Sequence, residues 1–189
     1  RPRDQAILAF LENELGMQDV RDGNLESAKK HFHTAIDLDQ RTVPAYLNLG
    51  DVLHQQDKIS SAIDVWEKVI RVAPDRAYLI FARLETTSIS LGQPSRFLDL
   101  CRRLIASTPQ DWRARLALGQ HLAEHDDSTG GLGLLFESLV HNPHGLAIHQ
   151  TIWRTLTTLK FDPALVHRYV ELTRDAVFYL DPHVCMRCR

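Results

Sequence analysis

A leucine–glycine pair, followed at fixed distances by an alanine and an aromatic residue, recurs at a period of 34 residues. No other property of the chain constrains its fold as much. Leu49-Gly50 is followed by Ala62, Trp66 and Val69, and 34 residues upstream stand Leu15-Gly16, Ala28, Phe32 and Ala35. The pair returns at Leu118-Gly119, and Pro74, Pro109 and Pro143 mark nearly the same interval. Such a period means one supersecondary unit per repeat, each unable to bury its apolar face alone and therefore stacked on its neighbours. The small residues let two helices approach closely, and the aromatic fills the wedge beside them. A proline ends each second helix, because it lacks an N–H and crowds the preceding turn.

The spacing predicts helix pairs along the whole chain. The first helix covers about 5–21, with Ile7, Leu8, Leu11, Leu15 and Met17 at helical spacing. Asp22-Gly23-Asn24 reads as a turn, and 25–38 follows as a partner helix with Ala28, Phe32, Ala35 and Ile36 inward and Lys29 and Lys30 solvated. The second pair is 43–56 and 59–72, with Ser60 or Ser61 able to cap its second helix. The third is 77–91 and 94–107. Thr86, Thr87, Ser88, Ile89 and Ser90 are poor helix formers, but Gly92 sits where the turn belongs and Pro94 suits a first turn. The fourth pair is 112–125 and 128–141, its second helix weakened at the start by Gly130, Gly131 and Gly133. After Pro143 a degenerate fifth pair covers 146–159 and 163–179, with Asp162 as an N-cap and Pro163 at the first helical position.

The period and the small/large alternation resemble the tetratricopeptide repeat (TPR) family. The resemblance implies an all-α, right-handed superhelix of about five helix-turn-helix units: four over residues 5–145 (9–42, 43–76, 78–111 and 112–145) and the degenerate capping unit over 146–180. In TPR arrays the first helices of successive units line a groove. By repeat position that lining comprises Asn13, Met17, Asn48, Asp51, Gln55, Arg83, Thr86, Gln120 and Glu124. Leu47 and Ala82 stand where a carboxylate-capturing TPR carries its lysine–asparagine set, so capture of a C-terminal carboxylate is not expected.

Composition excludes several classes. With 44% apolar and 24% charged residues the chain has the material for a packed core. A net charge of −2 argues against a nucleic-acid partner bound through a basic surface. No apolar run approaches the eighteen or so residues of a membrane span. Three cysteines are too few and too unevenly placed for a disulfide framework, which fits a reducing compartment such as the cytoplasm.

Two motifs bear on chemistry. Cys185-Met186-Arg187-Cys188 places two thiols at the spacing of a metal knuckle, so Cys185 and Cys188 read either as half of a four-ligand zinc or iron site or as two free thiols. His121-Leu122-Ala123-Glu124-His125 matches the H-x-x-E-H pattern of some zinc hydrolases. It lies in the first helix of the fourth repeat with no third ligand in view, and the repeat reading is preferred. Cys101 occupies the aromatic position of its repeat and is expected to be buried. Trp66, Trp112 and Trp153 are expected in the core, and the remaining histidines at the surface or its boundary.

The repeats, the closing helix at 163–179 and Val184-Cys185-Met186-Arg187-Cys188 together resemble the lipopolysaccharide assembly protein B family, TPR proteins with a C-terminal rubredoxin-like metal domain. Residues 181–189 would be the first half of that domain. The resemblance implies a non-enzymatic adaptor at the cytoplasmic face of the bacterial inner membrane, anchored by a segment outside this chain. Its implied partners are a membrane-bound ATP-dependent zinc protease and the lipid A pathway deacetylase, with no small-molecule substrate. Pairing of two chains is left open. A generic TPR scaffold in another pathway is the alternative.

Overall fold

The computed structural model describes residues 2–125 and 127–174. Among them the chain is all-α, and it divides into two compact units, Arg1–Pro94 and Ser95–Arg189. The first unit holds α1 (Pro2–Arg21), α2 (Leu25–Leu38), α3 (Val43–Gln55), α4 (Ile59–Val72), a 3-10 helix (Pro74–Ile80) and α5 (Phe81–Ser90). The second is built from α6 (Pro94–Ser107), α7 (Trp112–His125), α8 (Ser128–His141), α9 (Leu146–Thr158) and α10 (Pro163–Thr173). The division falls inside the third repeat, 78–111.

The repeat residues do what their sizes predict. Ala28, Phe32, Ala35, Ala62, Trp66 and Val69 are buried. A methyl group on Gly50 would run into the Trp66 indole, and one on Gly16 would lie 2.5 Å from the Phe32 ring. In these two pairs the glycine of the first helix is therefore the floor on which the aromatic of its partner rests. In the second unit the contact is backbone on backbone, since a methyl on Gly131 would meet Ala123 N and Gly119 O at 2.6 Å. The glycines opening α8 thus serve close packing against α7. The cost in propensity at that helix start is offset by Asp127, whose side chain accepts from Gly130 N at 2.8 Å. The core of the second unit is Leu132, Leu135, Phe136, Leu139, Ile148, Ile152 and Leu156.

One backbone bond closes every helix pair. The N–H five residues on donates to the last turn of the first helix: Asn24 to Asp19, Lys58 to Leu53, Gln93 to Ser88, Asp127 to Leu122 and Phe161 to Leu156, all at 2.7–2.9 Å. This is the long bond of a Schellman termination. The residue before each donor takes the left-handed conformation at Gly23, Asp57, Gly92 and Lys160.

Several expectations need correction. Residues 77–91 are not one α-helix: a 3-10 segment precedes α5. Pro74 starts it directly after an extended Ala73, and Ala77 and Ile80 point inward three residues apart, matching the three-residue turn of a 3-10 helix. Ser60 and Ser61 do not cap α4. Its N-cap is Lys58, with no side-chain bond. Lys29 is not simply solvated but donates to Glu26 at 2.7 Å and to Gln56 at 3.2 Å, tying one helix pair to the next. On α1 the inward residues are Ala9, Asn13 and Gly16, while Ile7, Leu8, Leu11, Leu15 and Met17 are exposed. The face that meets α2 and α3 must be small to lie against Phe32, so the large side chains fall on the other one. Trp153 is 46% exposed, not core. Cys101 is buried as expected.

Gly131→Ala should therefore lower stability by about 1–3 kcal/mol, the usual cost of overpacking where neither neighbour can yield. Gly133→Ala, with open space around the new methyl, should be neutral or stabilising by up to about 1 kcal/mol. Thermal and urea melts of the two variants would check the pair.

Candidate protein-binding face

Along the first-helix face of the first unit the polar residues are held in pairs that bridge successive repeats. Asn48 Nδ2 donates to Asn13 Oδ1 at 2.9 Å, joining α3 to α1. Arg83 on α5 meets Asp51 on α3 through two bonds, Nε to Oδ1 at 2.6 Å and Nη2 to Oδ2 at 2.7 Å, while Nη1 donates to Leu79 O at 3.2 Å. The Asp51 bonds push the Arg83 guanidinium above its ordinary range, against the opposing pull of burial. The pair is partly exposed, at 34% and 44% for the two side chains. Its worth to folding is accordingly modest, about 0–1 kcal/mol, but its geometry is fixed.

Two recesses open on either side of Asp51. One, of about 200 Å³, lies between Met17, Asn48, Gln55 and the Phe32 ring. The other, of about 360 Å³, lies between Arg83, Thr86, His54 and Trp66. Of the residues singled out by repeat position, Asn13, Met17, Asn48, Asp51, Gln55, Arg83 and Thr86 are thus gathered on one face. Gln120 and Glu124 lie on α7 in the second unit, where Gln120 Nε2 donates to Glu124 at 3.3 Å and Arg154 to Glu124 at 3.1 Å. Repeat position missed His54, whose ring lies 5.8 Å from Trp66 and lines the larger recess. The signal was available: His54 is one helical turn beyond Gly50, on which Trp66 sits.

The H-x-x-E-H stretch is used up by the fold. The His121 ring is buried beside Phe97, stacks on His125 at 4.5 Å, and Glu124 is engaged by Arg154. No group of three or more metal-binding side chains converges among the described residues. Cys185 and Cys188, and the half-knuckle read from them, lie outside the described residues. No helix among the described residues is long and apolar enough to cross a membrane.

His31 meets the expectation of a boundary position, and His149 departs from it. His31 is half-buried, 2.7 Å from Glu12 and 3.6 Å from Asp19, and so pins α2 to α1. His149 is buried within a relay whose directions follow from elimination. The Pro143 carbonyl can only accept, so His149 Nε2 carries a proton and donates to it at 2.8 Å. With the ring proton on Nε2, Nδ1 is the acceptor, and Tyr169 donates to it at 2.8 Å. Burial pushes the Tyr169 phenol up, partly offset by the neighbouring Trp153 indole.

No family model matches the sequence, and no curated protein matches it. Solved structures do. PilF of Pseudomonas aeruginosa matches with a TM-score of 0.57 and 14% identity, covering 90% of this chain and 77% of that one. A crystal structure of MamA gives 0.55 at 16%, covering 92% and 96%. MamA from Desulfovibrio magneticus gives 0.54 at 16%, covering 92% and 97%. These are TPR proteins. At such identities the likeness is one of fold, and the fold of this chain is the all-α TPR array.

Because the folded chain holds the Tyr169 proton more tightly than the unfolded chain does, this contribution to stability is flat below the unfolded phenol value of about 10 and declines as pH rises above it. Tyr169→Phe should remove one equivalent from the late phase of an alkaline absorbance titration, and should flatten the decline of the melting temperature in that range.

Proposed function

We propose that the chain is a non-enzymatic protein-binding scaffold, and that the face carrying Asn13, Asn48, Asp51 and Arg83 receives an extended segment of a partner protein. The observation that carries this reading is the interlocked polar set itself. A solvated helix face has no need of side chains bonded from repeat to repeat. Here the amides and the guanidinium–carboxylate pair are held in place beside two open recesses. Preorganised groups of that kind bind without a large ordering cost. The recesses mix both charge signs, amides and aromatic edges, which suits a peptide backbone with alternating side chains.

A finer reading rests on the sequence resemblance. The scaffold would be an adaptor of the lipopolysaccharide assembly protein B type, linking the lipid A pathway deacetylase to a membrane-bound ATP-dependent zinc protease at the inner membrane. Cys185 and Cys188 would then supply half of a zinc or iron site.

Titration of the chain with the purified deacetylase and with the soluble part of the protease is the direct test. Asn48→Ala and Arg83→Ala should each weaken binding at least about tenfold. Arg83→Ala should cost less than about 1 kcal/mol of stability, because its ion pair is partly exposed, and Asn48→Ala about 1–3 kcal/mol, because it takes the partner from the buried Asn13 amide oxygen. If neither protein binds while other peptides still do so through Asn48 and Arg83, the adaptor role fails and the scaffold stands. If the two substitutions leave all binding unchanged, this face is not the site.

A further inference from the structure

The turn between α9 and α10 departs from the other four. In those, the residue closing the Schellman bond comes directly before the next helix, at Asn24, Lys58, Gln93 and Asp127. Here the closing residue is Phe161, and the capping role passes to Asp162, which accepts from Ala164 N at 2.9 Å. One residue has been inserted. Lys160 and Phe161 both take the left-handed conformation, with φ of 54° and 52°, the one such consecutive pair among the described residues. For an aromatic residue that conformation is strained, and strain of this kind is retained where the surroundings require it.

The insertion places the Phe161 ring 5.8 Å from that of Trp153, tilted by 58°. Both rings are nearly half exposed, at 43% and 46%. With Pro163, Val166, His167 and Val170 they enclose a slot of about 490 Å³. Trp153 is backed by Tyr169, its ring edge-on to the Tyr169 ring at 5.6 Å. A half-exposed tryptophan braced on a buried tyrosine that is itself bonded to His149 is a preorganised contact, the sort that dominates binding surfaces.

We infer that this slot is a second protein-binding site, and that its ligand is a proline-rich extended segment flanked by an acidic residue. The walls decide the class. They are largely apolar, and their one imidazole, His167, lies 3.6 Å from Glu171, so the site suits a ligand whose backbone needs no partner from it. Polyproline II meets that condition: it has no internal hydrogen bonds, its carbonyls remain in water, and it repeats every three residues. Proline rings lie flat against aromatic walls. A β-strand ligand would need an open sheet edge, and the described residues include no strand. An amphipathic helix would need a long groove with successive anchor pockets, whereas two rings here face one cleft. Lys160, exposed beside Phe161 and without an ion-pair partner among the described residues, supplies the charge that an acidic flank would meet.

Fluorescence anisotropy of a labelled decapeptide with two proline pairs flanked by glutamate, titrated with the full 189-residue chain, tests this. Saturable binding is expected. Trp153→Ala should weaken it at least about tenfold, Lys160→Glu should weaken the acid-flanked peptide more than a neutral-flanked one, and Arg83→Ala should leave it unchanged. Phe161→Gly should weaken binding without lowering the melting temperature, since glycine adopts this φ freely. That combination separates a binding ring from a structural one even if Trp153→Ala misfolds. The proposal is overturned by no binding, or by equal affinity for an alanine-for-proline peptide. It is overturned equally by preference for an amphipathic helical peptide, or by a Phe161→Gly variant that melts early yet binds normally.

Discussion

The contact on which the structure depends is the one between a glycine of the first helix and the residue that lies on it, made in the first, second and fourth helix pairs. Two helices that pack with ordinary side chains stand about 8–10 Å apart. Removing a side chain on one of them makes room for a full aromatic on the other, as Gly16 does for Phe32 and Gly50 for Trp66. Gly119 and Gly131 carry the same logic further, until backbone meets backbone. The turn is shared more widely, since α5/α6 and α9/α10, whose first helices hold no glycine, close by the same bond. Helices held so close must be joined within three residues or so. The Schellman closure, with one left-handed residue, provides that connection repeatedly.

This explains why so much of the architecture was legible. The glycine and the aromatic are rare enough, and far enough apart, that their recurrence at 34 residues is itself a geometric statement. The bounds of α2, α4, α6, α7 and α8 follow from it directly. What periodicity could not settle was which side of a helix meets a neighbour. On α1 the large residues Ile7, Leu8, Leu11 and Leu15 form the better hydrophobic pattern, yet Ala9, Asn13 and Gly16 are the ones turned inward. An amphipathic pattern measures apolar content, whereas packing against Phe32 requires small size, and the two criteria select different faces. The 3-10 segment was hidden for a related reason. Three- and four-residue spacings both place Ala77 and Ile80 on one side, so a short tight turn and an α-turn read alike.

The candidate binding face was partly legible too. Repeat position identifies which residues share the first-helix face, and seven of the nine do so within the first unit. It says nothing about which of them are bonded to one another. The Asp51–Arg83 pair spans 32 residues, and the Asn13–Asn48 pair 35. Neither separation equals the repeat period, so the pairs do not appear when the units are aligned on one another. The burial of His149 escaped for a different reason. A histidine is buried where both ring nitrogens find partners, and those of His149 are met by a hydroxyl 20 residues away and a carbonyl six residues back.

The two exposed features of the chain thus arise by opposite routes. The face on α1, α3 and α5 follows the repeat. Its polar side chains stand where any such array has a first-helix surface, and their bonding adds rigidity at little thermodynamic cost. The slot at Trp153 and Phe161 exists because one turn breaks the repeat. The inserted residue gives up a favourable backbone conformation to hold a ring half in water. The termination itself did not demand this, because Asn24 and Lys58 close the same bond and serve directly as N-caps at negative φ. A mutation toward that simpler turn would relieve the strain and remove the ring together. The strain and the exposed aromatic pair are therefore a single feature, which the folding of α9 and α10 by itself leaves unaccounted for.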